Sequence, residues 1–208
     1  TAEPNAPVNG LMISGTTVYF VGEFSQVKNS TSRGRGAAVA TDGTVLPWNP
    51  AASHAIESLF VDGGRVYLGG LFTTLGGVSH ERLGAVDATT GAEITAFAPS
   101  VNGPVYRVDA QNGFVFFGGS FDLVNGSTRE NAAAVKGAPG MVDDGQLQGW
   151  NPAVGGPIYD IDAFGDDVYL AGGFGSVGGE SRPGIAMVDA LANGGALPSA
   201  RETVDLRG

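Results

Sequence analysis

The chain has 208 residues, 42% of them apolar and 15% charged, a formal net charge of -10, and no cysteine. That is enough apolar material for a packed core, and the missing cysteine excludes a disulfide framework, a thiolate metal site and a cysteine nucleophile. The acidic balance argues against a nucleic-acid surface, which is basic, and against contact with anionic membranes.

The 35 glycines and 11 prolines place a turn every few residues. A helix interior loses about 1 kcal/mol per glycine and about 3 per proline, so the composition favours many short strands. In chain order the first group of predicted strands is Leu11 to Ser14, Val18 to Phe24, Gly36 to Ala40 and Val45 to Pro50. The second group is Ala55 to Val61, Val66 to Phe72, Leu83 to Asp87 and a strand ending at Phe97-Ala98-Pro99. Asp62-Gly63-Gly64 joins its first two members and is a strong hairpin signal. The segment from Gly76-Gly77 to Glu81 reads as a loop. The third group is Val105 to Ala110, Val115 to Phe121, Ala132 to Val135 and Leu147 to Pro152. The last is Ile158 to Ala163, Val168 to Phe174, Ile185 to Asp189 and Ala196 to Pro198.

The second member of each group is nearly the same phrase: VYFVGEF from Val18, VYLGGLF from Val66, VFFGGSF from Val115 and VYLAGGF from Val168. Successive copies are 48, 49 and 53 residues apart. Self-similarity at that period, with four strands per unit, predicts an all-β fold, a β-propeller of four-stranded antiparallel blades. One sheet cannot bury both of its faces, so the blades must stack. The chain reads as one repeat domain over residues 1–208, with repeats at about 8–53, 54–101, 102–154 and 155–199. Glycines late in the phrase suit a bend or the close approach of another backbone. The phenylalanine that closes it is expected to pack between blades.

Thr1 to Gly10 is similar to Thr95 to Gly103, and Ala200 to Gly208 continues beyond the fourth repeat. Two expectations follow: further blades of a longer chain, whose targeting segment has been trimmed, or strands from both ends closing one ring. A homo-oligomer is a third, since an open arc leaves two blade faces bare. No apolar run is long enough to span a bilayer.

The order of G-G-x-F, an arginine loop, A-x-V-D, T-G and W-N-P resembles the delta-60 type β-propeller repeat of bacterial exported proteins. The second repeat carries it in Gly69-Gly70, Phe72, Gly76-Gly77, Arg82, Ala85, Asp87, Thr90-Gly91, Phe97 and Pro99. Trp48-Asn49-Pro50 and Trp150-Asn151-Pro152 supply the tryptophan ending. The likeness covers about residues 8–199 and implies a secreted or cell-surface module without assigned chemistry. Ala40 and Lys136 replace the aspartate, residues 137–145 are inserted, and Ser199 stands in the tryptophan slot. A second likeness, of Ala85 to Gly91, is to the docking segment of quinoprotein dehydrogenase propellers. Only one repeat has that segment whole, so no quinone cofactor is expected.

Candidate chemistry lies on the first strands, which line the channel of a propeller. Arg107 with Asp109, and Asp160 with Asp162, are spaced i, i+2 and so share a strand face. The carboxylates suit a hard cation such as calcium, and with Arg107 they suit acid–base work on a glycan. A salt-bridged channel wall is the third reading, and no cofactor and no metal site are assigned. Asp143-Asp144-Gly145 and Asp166-Asp167 read as turns, since neither has calcium-loop spacing. His54 and His80 fall in different loops with no zinc spacing. Asn29-Ser30-Thr31 and Asn125-Gly126-Ser127 match the glycosylation pattern. The expected function is a non-catalytic exported or cell-surface module that binds a protein or a glycan. The alternatives are a glycan-active enzyme with a channel site and a self-assembling structural subunit.

Overall fold

A computed structural model of the protein describes residues 3–28, 31–137, 139–140, 142–190 and 200–201. It is all-β, and its strands form four blades in chain order. Among the described residues no helix is long and apolar enough to cross a membrane. The inner strands are Val8–Ser14, Ile56–Asp62, Val105–Gln111 and Ile158–Phe164. Each pairs antiparallel with a second strand: Thr17–Gly22, Arg65–Gly70, Phe114–Gly119 or Asp167–Gly172. The third strands are Gly36–Ala40, Leu83–Asp87, Ala132–Lys136 and Ile185–Asp189.

The outer strand is shorter than predicted in three blades. It is one bridge each, Val39 to Val45, Val86 to Glu93 and Val135 to Leu147. The reason is the aromatic that follows. The chain leaves the sheet so that Trp48, Phe97 or Trp150 can enter the blade junction, where each is at most 3% exposed. Trp48 Nε1 then donates to Asp87 O at 3.0 Å and Trp150 Nε1 to Asp189 O at 2.9 Å, each in the next blade. In blade 4 the outer strand is Ala200–Arg201, paired with Val188 and Met187. The start of the tail therefore completes blade 4 and does not open another repeat. The predicted strand Ala196 to Pro198, and Asn29 and Ser30 of the first sequon, lie outside the described residues.

Between the second and third strands each blade carries a two-stranded ribbon, such as Thr74–Leu75 with Val78–Ser79. The sequence reads as a loop here because each arm is only two residues long. A polar side chain from the start of the repeat holds the ribbon. Asn5 Oδ1 accepts the amides of Ser25 and Gln26, Ser53 Oγ those of Thr73 and Thr74, and Asn102 Oδ1 those of Asp122 and Leu123.

The two glycine positions of the repeated phrase have different causes. At the second (Gly22, Gly70, Gly119, Gly172), an added Cβ would lie 2.2, 2.4, 2.0 and 2.2 Å from the carbonyl oxygen of the residue before the inner strand. Every blade has a bulge there, at Val8/Gly10, Ile56/Ser58, Val105/Arg107 and Ile158/Asp160. Only glycine lets the backbones come so close. The first position faces the next blade. A Cβ on Gly69 would meet Val105 Cγ1 at 2.6 Å, and one on Gly118 would meet Ile158 Cγ2 at 2.5 Å. It varies among the copies as Val21, Gly69, Gly118 and Ala171.

The core is divided among the junctions. Tyr19, Val21 and Trp48 of blade 1 pack with Ile56, Leu59, Leu68 and Phe72 of blade 2. The next two junctions repeat that arrangement around Phe121 and Phe174. Phe72, Phe121 and Phe174 thus lie between blades, as the repeat predicts, whereas Phe24, with no blade before it, packs within blade 1 against Phe20, Val27 and Ala37. The sequence missed a polar tie across the second junction. Arg65 Nη1 donates to Asp144 Oδ2 at 2.6 Å, with side chains only 8% and 1% exposed. Asp144 is therefore more than a turn residue. The insertion at residues 137–145 carries its carboxylate to blade 2.

Candidate functional site

The inner strands bring the four channel candidates into one cavity. Register places Asp109 opposite Phe116 and Asp162 opposite Tyr169, so both carboxyls leave the same side of their blades. With Ser58, the four residues Arg107, Asp109, Asp160 and Asp162 line a space of about 250 Å³. Arg107 Nε donates to Asp160 Oδ1 at 2.7 Å, with side chains 40% and 59% exposed. A pair that open to water contributes at most about 1 kcal/mol.

Asp109 is buried. Its Oδ1 accepts the amide of Ala110 at 2.7 Å and its Oδ2 that of Ala163, in the next blade, at 2.5 Å. Burial pushes its carboxyl above the usual carboxylate range. The two amides oppose that rise, and neighbouring Asp162 adds to it. The slot of Asp109 is occupied by Met12 in blade 1, and Met12 Sδ likewise receives the amide of Val61 at 3.2 Å. In the middle junction Ser58 Oγ accepts the amide of Val108 at 2.8 Å. A side chain reaching forward to the next inner strand thus joins every pair of blades, and Asp109 is the ionisable version. Two carboxyls beside one guanidinium can hold and pass a proton. Among the described residues no three His, Cys, Asp or Glu side chains converge on a common metal position.

A larger cleft opens between blades 3 and 4, at the end where the inner strands begin. It holds about 590 Å³ and is lined by Asn102, Ser120, Asp122, Glu130, Asn131 and Gly155, among others. The related junction of blades 1 and 2 has a space of about 300 Å³, lined by Glu23, Arg35 and His54. One residue distinguishes the two. Arg35, Arg82, Asn131 and Gly184 occupy the same place in their repeats, with φ of 67°, 68°, 62° and 80°. The guanidinium of Arg35 donates to Glu23 O, and Arg82 Nη1 donates to Leu71 O at 3.0 Å. Asn131 is too short for that reach, and its Nδ2 donates to Val154 O at 2.8 Å. The freed space is lined by amides and carboxylates. The departure of Asn131 from Arg35 and Arg82 of the first two repeats is a signal the sequence carries, but its meaning needed the neighbouring blade.

The histidines stay apart. His54 is exposed, and its ring nitrogen lies 3.1 Å from Ser53 O. His80 is buried, with Nε2 3.1 Å from Glu93 Oε2.

No family model matches the sequence, and no curated protein matches it. Solved structures do. A crystal structure of the computationally designed Ika4 protein matches with a TM-score of 0.58 at 11% identity, over 89% of this chain and 92% of that one. The designed Ika8 protein matches with a TM-score of 0.54 at 14% identity, over 94% of this chain and 62% of that one. The WD40 β-propeller domain of Doa1 matches with a TM-score of 0.55 at 14% identity, over 91% and 67%. At those identities the likeness is one of fold, and with the four stacked blades it shows that this chain is a β-propeller.

Proposed function

We propose that the chain is a non-catalytic binding module that holds a protein or glycan partner in the cleft between blades 3 and 4. The observation that carries this reading is the replacement of the cleft-filling arginine by Asn131. It opens a polar space at one junction of an otherwise regular stack. Export or display at a cell surface goes with the delta-60 resemblance and is part of the proposal. The test is a glycan array and a pull-down with the intact chain and with Asn131→Arg, which restores the residue of the first two repeats. The variant should fold as the wild type does and lose binding at least tenfold. Equal binding by both proteins, or none by the folded wild type, would refute the reading.

A second reading is favoured by the meeting of Arg107, Asp109, Asp160 and Asp162 in one cavity. As an enzyme, the chain would cleave a glycan there, with Asp109 as the proton donor and Asp162 as its partner. Asp109→Asn and Asp162→Asn would then abolish turnover that the wild type shows on a polysaccharide panel. A wild type inert on that panel removes this reading. Calcium is the cation these carboxylates would take, and it would have to draw Asp160 away from Arg107. A rise in Tm on adding calcium, lost in Asp160→Asn, is the corresponding measurement.

A further inference from the structure

Each blade has a leading face, which packs on the blade before it, and a trailing face, which receives the blade after it. Three junctions inside the chain show the two faces joined. At the end of the arc the trailing face of blade 4 is open. At its start the inner part of the leading face of blade 1 is open, while Phe20 at 8% and Phe24 and Ala37 at 0% stay covered. On the leading face of blade 1, Val8 is 42%, Leu11 66% and Ile13 62% exposed. The counterparts of Val8, which are Ile56, Val105 and Ile158, are all 0% exposed, and those of Leu11 are 8%, 4% and 4%. On the trailing face of blade 4, Tyr169 is 42% exposed, against 6%, 1% and 2% for Tyr19, Tyr67 and Phe116.

We propose that two copies of this chain associate head to tail, the leading face of blade 1 in each covering the trailing face of blade 4 in the other, to close one ring of eight blades. The internal junctions specify the contacts. Asp162 stands in the slot of Met12 and Asp109, which receive the amides of Val61 and Ala163. Its carboxylate would receive the amide of Ile13 from the second copy. Tyr169 stands where Tyr19 donates from Oη to Ala88 O at 2.7 Å, and it would donate to Thr41 O. Ala171 stands where Gly118 receives Ile158, and it would receive Val8. Charge agrees with this pairing. Residues 3–53 hold Lys28, Arg33 and Arg35 against three carboxylates, whereas residues 155–190 hold six carboxylates against Arg182. One end of the arc is thus neutral and the other strongly acidic, so two trailing faces repel each other and a head-to-tail encounter is the favoured one. This inference does not depend on the binding cleft and is tested apart from it.

Sedimentation and light scattering of the whole chain from about 1 to 100 μM, a range that brackets micromolar affinity, should give twice the 21.0 kDa chain mass. Leu11→Asp and Tyr169→Asp should each weaken association more than about a hundredfold, because each buries a charge or removes an anchor. Both should keep the wild-type circular dichroism. Mixed together they should re-form a dimer through the one junction left intact. A chain carrying Val8→Cys and Ala171→Cys should oxidise to a disulfide-linked dimer. That measurement stands even where the aspartate variants fail to fold.

Four results overturn the proposal. A wild type that is monomeric throughout shows that no second copy covers the open faces. A disulfide closed within one chain shows that the arc seals itself. Masses that climb past the dimer with concentration show an open filament. A dimer that survives Tyr169→Asp but not Leu11→Asp shows leading faces pairing with each other.

Discussion

Gly118→Ala tests how tightly the blades are stacked. The added Cβ would sit 2.5 Å from Ile158 Cγ2 and 2.9 Å from Ile158 Cβ. Ile158 is fully buried and starts the inner strand of blade 4. Relief requires moving that strand by nearly an ångström or forcing its side chain off rotamer, and overpacking of this kind costs about 1–3 kcal/mol. For a chain of this size each kcal/mol lowers Tm by about 2–4 °C, so a fall of about 4–8 °C is expected for a cost of about 2 kcal/mol. Ile158→Ala alone should cost about 2–5 kcal/mol through its cavity. The double variant should lie above the sum of the two by about 1–2 kcal/mol, since the new methyl enters the vacated space. Gly175→Ala, with nothing within 4 Å of its Cβ, is the control and should stay within about 0.5 kcal/mol of wild type. Thermal and urea unfolding read all four proteins. Strict additivity of Gly118→Ala with Ile158→Ala would refute the contact, because independent sites do not compensate one another.

Asp144→Ala strands the Arg65 guanidinium in a dry junction and should cost about 3–5 kcal/mol in urea unfolding. Arg65→Met paired with Asp144→Leu should recover most of that loss, and failure to do so would show that the carboxylate has a further role. The pH dependence of Asp109 has a definite sign. Its folded pKa is raised, so between the unfolded carboxylate value and the folded one the native state binds the extra proton. Stability from this group is present at low pH and is lost as pH rises through the folded pKa. Asp109→Asn should flatten that part of the curve in pH-dependent melting, and an unchanged slope would show that Asp109 is not its source. Asp87 has the opposite sign. The amide and hydroxyl of Thr90 and the amide of Thr89 hold it below the usual range. Its contribution is present above the unfolded pKa and disappears on acidification, so Asp87→Asn should flatten the acid limb of the profile in pH-dependent melting, and an unchanged acid slope would refute that role.

The repeat itself was legible because packing between blades imposes it on every copy. Phe72, Phe121 and Phe174 could be assigned to junctions from one phrase and its period, whereas Phe24 in the first copy packs within its own blade. The outer strands were overestimated, since Val45 to Pro50 recurs in the fourth place of the repeat with apolar residues suited to a strand, yet its tryptophan is needed elsewhere. The ribbons were missed because two-residue arms carry no periodicity. The channel set was found by i, i+2 spacing, and the structure does bring it into one cavity. Spacing within a strand could not show that Asp109 is spent on the amide of the neighbouring blade. Arg65 and Asp144 lie 79 positions apart, and only the insertion at residues 137–145 hinted that something local had changed. Asn131 was visible as an irregularity, but a cleft is made by two blades and one sequence row shows only one.

The hydrogen bonds of Trp48 and Trp150 to carbonyls of the following blade bear on how the chain is made. Nearly all of a blade comes from adjacent hairpins, so each sheet can form soon after its own residues leave the ribosome. Its aromatic plug cannot seat then, because the oxygen that receives it lies about forty residues further along, at Asp87 for Trp48 and at Asp189 for Trp150. Blades 1 and 3 are therefore finished by their successors, and synthesis adds stability in steps from the amino terminus. A chain interrupted between blades would leave its last tryptophan without a partner, as an exposed apolar mark by which quality control can recognise an unfinished stack.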